Sequence, residues 1–517
     1  MANLGFWHLA QQNGDALALV DPCGRELSRA QLLSEANRIV HGLRALGLGT
    51  GDVVAIIAPN CWEFIATNLA VTQAGLYMVP INWHLTGPEI AYILEDSGAK
   101  AFIVHEKVAE AALAAKQQAK FPDSGAFAIG RVDGFRPFAA LGEGQPDTLP
   151  EGRTAGAVMN YTSGTTGKPK GVRRPLSGLD PETAHELYSM MQMMFGIQPG
   201  ADNVHFCGSP LYHTAVLVWA STALHMGHAV VLVDKWDPEG MLQLIEKYRV
   251  TTSHMVPTQF TRLLKLPEEV RSRYDVSSLR NMIHAAAPCP PDIKRAMLAW
   301  WGPTIYEYYA ATEGGGTLCT PQDWLENPGT VGKAWPTADI RILDDEGNEL
   351  PAGEKGMVYM LMAQNARFEY RGDQKKTAEN RRGDYFTVGD IGYLNERGFL
   401  FLCDRKIDMI ISGGANIYPA EIENALILHD KVADCAVFGI PNDDWGEEIK
   451  AVVQPAEGVE AGEALTAELM AFLQSQLAKM KWPRSIDYLP ELPRDPNGKL
   501  YKRRLRDPYW QSRERQV

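Results

Sequence analysis

Two hydrophobic periods take turns along the first hundred residues, and that alternation constrains the fold more than any other feature of the chain. Leu32, Ala36, Ile39, Leu43 and Leu46 recur every three or four positions, one face of a helix that Ser28 can cap and that Gly47 and Gly49 stop. Val53 to Ile57 is then a short β-branched run. The spacing predicts further helix over 62–74 and 88–94, with strand over 77–79 and 101–104. Strands separated by helical stretches imply parallel pairing and crossover connections, so this is an α/β chain.

The same texture returns as strand at 229–233, helix at 241–248 and strand at 252–256. After Pro336 come short strand-like pieces at 340–343, 355–361 and 398–402, divided by Gly-rich turns. Past Arg405 a helix at 420–428, strands near 433–439 and 450–454 and a helix at 467–477 make a unit large enough to fold alone. The expected organisation is a large N-terminal domain over 1–404, of layered α/β subdomains plus a small β-rich one. A small α+β C-terminal domain follows over 405–517.

With 50 Lys+Arg against 63 Asp+Glu the formal charge is −13, which disfavours a nucleic-acid partner held by a basic surface. Seven widely spread cysteines with no Cys-x-x-Cys pair argue for reduced thiols in the cytoplasm. No eighteen-residue uncharged apolar run exists, and the start lacks a basic region followed by an apolar one. Neither a membrane span nor export is expected.

The strongest local signal is the run Tyr161-Thr162-Ser163-Gly164-Thr165-Thr166-Gly167-Lys168-Pro169-Lys170-Gly171. Its hydroxyls and glycines let backbone N–H groups and lysine charge converge on a phosphate chain with no Cβ in the way. It is not a Walker A loop, because that spacing fails at Thr162 and Pro169 stands where the metal-binding hydroxyl belongs. Four later segments matter with it: Tyr309-Ala310-Ala311-Thr312-Glu313, Val388-Gly389-Asp390, Asp404-Arg405 leading to Ser412-Gly413-Gly414-Ala415-Asn416-Ile417-Tyr418-Pro419, and Pro496-Asn497-Gly498-Lys499.

In this order and at about this spacing, the five segments resemble the AMP-forming adenylate superfamily of acyl-CoA synthetases, luciferases and carrier-protein adenylation domains. The resemblance implies that a carboxylate attacks the α-phosphate of ATP, giving acyl-adenylate and pyrophosphate, and that a thiol then displaces AMP. Such chemistry needs positioning and charge neutralisation rather than a protein nucleophile. By resemblance, Thr162, Ser163, Gly164, Thr165, Thr166, Gly167 and Lys168 hold the β- and γ-phosphates. Glu313 binds Mg²⁺, Thr312 meets the α-phosphate, and Ala286, Ala287 and Pro288 lie beside the adenine. Glu307, Tyr308 and Tyr309 flank the nucleotide, while Asp390 accepts the ribose hydroxyls with Arg405 nearby.

Lys499 is the expected catalytic cation, a contribution often worth about 3 to 4 kcal/mol. In the family the small domain is mobile, delivering this lysine first and then turning so that Ser412, Gly413 and Gly414 line the coenzyme A path. His213 is expected as a gate and orienter near the carboxylate. His225 and His228 read as structural. The sequence departs from the family at Ala310, at Val388 and at Ile407, which stands where the hinge residue is usually Asp or Lys.

Thr214 to Thr222 contains no acid to bind a substrate amine, so coenzyme A is favoured as acceptor over an amino-acid adenylation role. Tyr188, Met190, Met191, Met193, Met194 and Phe195 read first as helix core and second as acyl-pocket lining. A medium to long apolar acid, fatty or of steroid or bile-acid type, is the expected substrate, with aryl acids as the alternative. Ile411 stands where luciferases place a lysine. A nucleotide sensor without turnover is the non-enzyme alternative, and a homodimer is left open.

Overall fold

The computed structural model describes residues 4–162, 170–200, 202–310, 315–361, 369–370, 381–494 and 500–511. Ser28 starts the helix Arg29–Ala45 through a capping box: its hydroxyl accepts the Gln31 N–H and the Gln31 side chain accepts the Ser28 N–H. Leu32, Ala36, Ile39 and Leu43 are buried on its inner face.

Two sheets build the large domain. One has six parallel strands in the order Arg136–Pro137, Ala126–Ile129, Ala99–His105, Val53–Ile57, Tyr77–Pro80, Ala157–Val158. Every residue of Val53–Ile57 is buried, which is why that strand reads as an unbroken apolar run rather than an alternation. The other sheet runs Ile305–Glu307, Asn281–His284, Thr252–Met255, Val204–Cys207, Ala229–Leu232, Leu17–Val20, Glu26–Ser28, and only the last strand pairs antiparallel. Helices Arg29–Ala45, Trp62–Gln73 and Thr214–His225 lie between the sheets. They share one apolar core with Val54 and Ile56 of the first sheet and Leu19, Val230 and Leu232 of the second.

A six-stranded antiparallel sheet follows, from Ile340–Leu343 to Leu400–Arg405, around Ile342, Val358, Met360, Phe386 and Leu400. The small C-terminal domain centres on the long hairpin Val432–Asn442 and Gly446–Pro455, with the helices Pro419–Leu426 and Glu463–Gln476 on its apolar face. Lys265 Nζ of the large domain donates to the Val432 carbonyl at 2.5 Å, and Leu428 packs against the core under the seven-stranded sheet. The connection between the domains is a single turn of 3-10 helix, Lys406–Asp408. Arg506, buried on the helix Lys502–Arg506, donates from Nη1 to the Ile407 carbonyl at 3.1 Å and to Asp408 Oδ1 at 3.2 Å.

One sequence expectation is corrected here. The helix Pro181–Met194 turns His185, Ser189 and Gln192 inward, leaving Tyr188 49%, Met190 49% and Met194 40% exposed. These three are not helix core; Met193 and Phe195 alone of the run join an apolar cluster. No helix among the described residues is long and apolar enough to cross a membrane.

Candidate active site

Parallel strands offer ligands their carboxyl ends, and in the seven-stranded sheet those ends carry the residues singled out from sequence. Asn281–His284 runs into Ala285 to Pro288, Ile305–Glu307 into Tyr308 and Tyr309, and Val204–Cys207 into the turn that ends at His213. Ala286 has φ of 73°, a left-handed conformation that costs a non-glycine residue energy, and Ala286 and Pro288 are exposed.

Tyr309 reaches from this edge to the β-rich subdomain. Its hydroxyl donates to Asp390 Oδ2 at 2.7 Å, and Arg405 Nε lies 3.4 Å from Oδ1. Asp390 and Arg405 are direct partners in the antiparallel pair Asp390–Leu394 and Leu400–Arg405, so sheet register holds them side by side. Gly389, with φ of 86°, makes the turn that delivers the aspartate.

The Glu307 side chain is taken up in a buried ion pair. Side chains alternate along a strand, so Glu307 and Tyr308 face opposite sides of the sheet. Glu307 points to the helix Pro291–Trp301, where Lys294 Nζ contacts its carboxylate at 2.5 Å and His284 Nε2 lies 3.4 Å away. Burial alone would push this carboxyl up, but Lys294 and then His284 outweigh it and hold it at about 2. The pair ties the helix after Ala285 to Pro288 to the strand before Tyr308, buttressing the site from beneath. Sequence reading missed Lys294, whose helical position among apolar residues carries no visible signal.

On the opposite face, Tyr308 meets His254, whose Nε2 hydrogen bonds the phenol at 2.9 Å. Burial pushes that phenol up to about 12. His213 precedes the helix Thr214–His225 and does not cap it with its ring. Burial, reinforced by His84 and His254, pushes the His213 imidazole down to about 3, so it is neutral at physiological pH and cannot supply a proton as imidazolium. His225 and His228 are both buried; the first stacks on His185 with centroids 3.6 Å apart, the second hydrogen bonds the Gln198 carbonyl.

The phosphate loop is described at its ends: Thr162 and Lys170 are register partners, closing the segment between two strands. Ser163, Gly164, Thr165, Thr166, Gly167 and Lys168, together with Thr312, Glu313 and Lys499, lie outside the described residues. Ser412 pairs with Ala415 across Gly413 and Gly414, whose φ values of 58° and 79° suit a two-residue hairpin turn. A Cβ on Gly413 would stand 2.5 Å from the Trp445 ring, while one on Gly414 would meet nothing within 4 Å. Trp445, 54% exposed, anchors the turn by accepting the Gly413 N–H at its carbonyl, 2.8 Å.

The chain belongs to the AMP-binding enzymes, whose family model matches residues 6–367, and the model of the AMP-binding enzyme C-terminal domain matches residues 421–499. It is an AMP-forming acid–thiol ligase of the acyl-CoA ligase branch. It is similar to the fatty acid–[acyl-carrier-protein] ligase ScoC of Streptomyces coeruleorubidus, 32% identical over 96% of this chain and 94% of that protein. A feruloyl-CoA synthase of an Amycolatopsis species is 34% identical over 97% and 98%. The solved anthranilate CoA ligase AuaEII, in complex with anthranoyl-AMP, superposes with a TM-score of 0.85 at 25% identity, covering 98% of each chain.

Proposed function

We propose that this ligase activates an apolar carboxylic acid, fatty or with a bulky ring system, and delivers it to coenzyme A. The acid's oxygen attacks the α-phosphate of ATP, pyrophosphate leaves, and the thiol sulfur then attacks the acyl carbon, releasing AMP and the thiol proton. Support comes above all from the cluster of Tyr309, Asp390 and Arg405, in which one carboxylate is held between a phenol and a guanidinium at the edge of the seven-stranded sheet. The apolar cluster of Phe195, Ile197, Trp219, Met226 and Ile283 adjoins Tyr308 and gives the acid's body a place next to the nucleotide.

Within this reading the loop from Thr162 to Lys168 grips the phosphates, Glu313 supplies oxygen to Mg²⁺, and Lys499 meets the charge developing between carboxylate and α-phosphate. Residues 1–404 hold nucleotide and acid; residues 405–517 first present Lys499 and then turn the Gly413 and Gly414 hairpin towards the thiol. The relatives span fatty and aryl acids, so aryl acids remain the second reading. A screen of carboxylic acids for AMP release with coenzyme A tests the proposal. Lys499→Ala should abolish acid-dependent ATP/pyrophosphate exchange yet still convert supplied acyl-adenylate to thioester, and unchanged exchange would refute the lysine's role.

A further inference from the structure

Two imidazoles are stacked in the interior where the helix Phe6–Gln12 rests on the helices Pro181–Met194 and Thr214–His225. His225 is fully buried, and His185 lies against it with planes 20° from parallel. Trp7 packs on both rings, its centroid 4.8 Å from His225 and 5.4 Å from His185. Phe6 is the first residue of its helix, so its N–H has no partner within the helix. That N–H donates to His225 Nδ1 at 3.0 Å, and the Gly5 N–H donates to the His225 carbonyl at 2.9 Å. A backbone N–H can only donate, so Nδ1 presents a lone pair and the neutral ring carries its hydrogen at Nε2. A proton added at Nδ1 would abolish the acceptor and set two donors face to face.

The surrounding charges do not compensate such a proton. Glu182 shares a helix face with His185, but its carboxylate is bound by Arg153 Nη1 at 2.8 Å. Arg153 lies 5.0 Å over the Trp7 ring and brings a fixed positive charge to the same cluster. The helix Thr214–His225 holds no other titratable residue. In the turn after it, His228 hydrogen bonds the Gln198 carbonyl and Arg29 donates to the Gly227 carbonyl at 2.6 Å. The helix Trp62–Gln73 meets Thr214–His225 through Asn68 and Ser221, both uncharged. On Phe6–Gln12 the one titratable residue is His8, which hydrogen bonds Gln12 at the surface. Burial, reinforced by His185 and Arg153, holds the His225 imidazole well below its ordinary value.

We propose that His225 is a pH-sensitive latch on the helix Phe6–Gln12: the neutral ring accepts the Phe6 N–H and holds the helix down, and acid lets the helix lift, because only the lifted state admits a proton at Nδ1. One proton is taken from solvent, and one internal hydrogen bond is exchanged for bonds to water. In the lifted state the ring titrates near its ordinary value of about 6.5. The closed state refuses that proton, so the latch is at full strength above about pH 6.5 and weakens about tenfold per pH unit below it. The latch goes beyond the ligase reading and does not depend on which acid is ligated.

The test is amide hydrogen exchange of the full chain at pH 7.5 and 5.5, with the intrinsic exchange rate at each pH divided out. The opening constant of residues 6–12 should rise about tenfold between the two values, the factor for one group titrating near 6.5 in the open state alone. The helix Arg29–Ala45 should stay at least about tenfold less open than residues 6–12 at both values, which marks the lifting as local. In His225→Asn the side-chain oxygen can still accept the Phe6 N–H but takes up no proton, so the change with pH should shrink to within about threefold of one. His185→Asn should keep the tenfold change. If His225→Asn does not fold, the wild-type profile and His185→Asn decide. A flat wild-type profile, a slope that survives in His225→Asn, a slope lost in His185→Asn, or opening of Arg29–Ala45 in step with residues 6–12 overturns the proposal.

Discussion

Tyr309 donates its hydroxyl to Asp390 Oδ2 across 2.7 Å, joining the edge of the seven-stranded sheet to the antiparallel subdomain. Two pieces of chain more than eighty residues apart thus share one carboxylate. A hydrogen bond to a charged group contributes roughly 1.5 to 3 kcal/mol, so Tyr309→Phe should raise KM for ATP by about ten- to a hundredfold while the melting temperature stays close to wild type. Asp390→Ala should cost at least as much. ATP titrations of pyrophosphate exchange measure both; unchanged KM values would remove the ribose assignment.

Lys294 and Glu307 are a buried pair, and breaking one partner of such a pair leaves an uncompensated charge. Lys294→Met should destabilise the protein by roughly 3 to 5 kcal/mol. The double variant Lys294→Met, Glu307→Leu should recover most of that loss. Chemical denaturation of the three proteins decides it, and additive losses would show that the two residues do not act as a pair.

Arg506 binds the linker at the Ile407 carbonyl and at Asp408. If the small domain turns about this segment, the clamp must break or be carried along. Arg506→Met should therefore change the ratio of the two half-reactions, pyrophosphate exchange against conversion of supplied adenylate, by about threefold or more, a shift of order 0.6 kcal/mol or greater. Equal effects on both would place Arg506 in the fold of the small domain alone.

The Gly413 and Gly414 turn gives a steric contrast. Gly413→Ala drives a methyl into the Trp445 ring, whereas Gly414→Ala meets open space and bears only the cost of its left-handed φ, about 1 kcal/mol. Thioester formation from supplied adenylate should fall further in the first than in the second, with pyrophosphate exchange preserved in both. The reverse order would mean that the indole does not fix this turn.

Five histidines, His185, His205, His213, His228 and His254, have imidazoles pushed down by burial to between about 3 and 4. Unfolded, each would titrate near 6.5. Below that value the unfolded chain binds protons that the folded chain refuses, so stability is full above about pH 6.5 and is lost as pH falls towards the folded values. Each group loses roughly 1.4 kcal/mol per pH unit in that window, outweighing Glu63 and Glu423, whose carboxyls burial pushes up. Calorimetry at pH 7.5 and 5.5 should show a lower melting temperature and net proton uptake on unfolding at the lower pH.

Much of this architecture was legible because local rules and tertiary demands agreed. Ser28 announced a helix start, and the β-branched run from Val53 to Ile57 announced a strand. The ion pair of Glu307 was not legible because motif position says nothing of the two-residue period that turns its side chain away from Tyr308. Met190 and Met194 were read as core because thioethers suit core and surface alike; their helix turns inward on His185, Ser189 and Gln192 instead. The contact between His254 and Tyr308, fifty-four residues apart, gave no sign in one dimension, because only sheet order brings the two together.

Lys265 grips the small domain by a main-chain oxygen, not by a side chain. Every residue type presents that same acceptor, so drift at position 432 can alter shape and charge there without erasing the anchor. Control over this grip is consequently one-sided, vested in the lysine, and a single exchange at 265 is enough to retune it across descendants of this sequence.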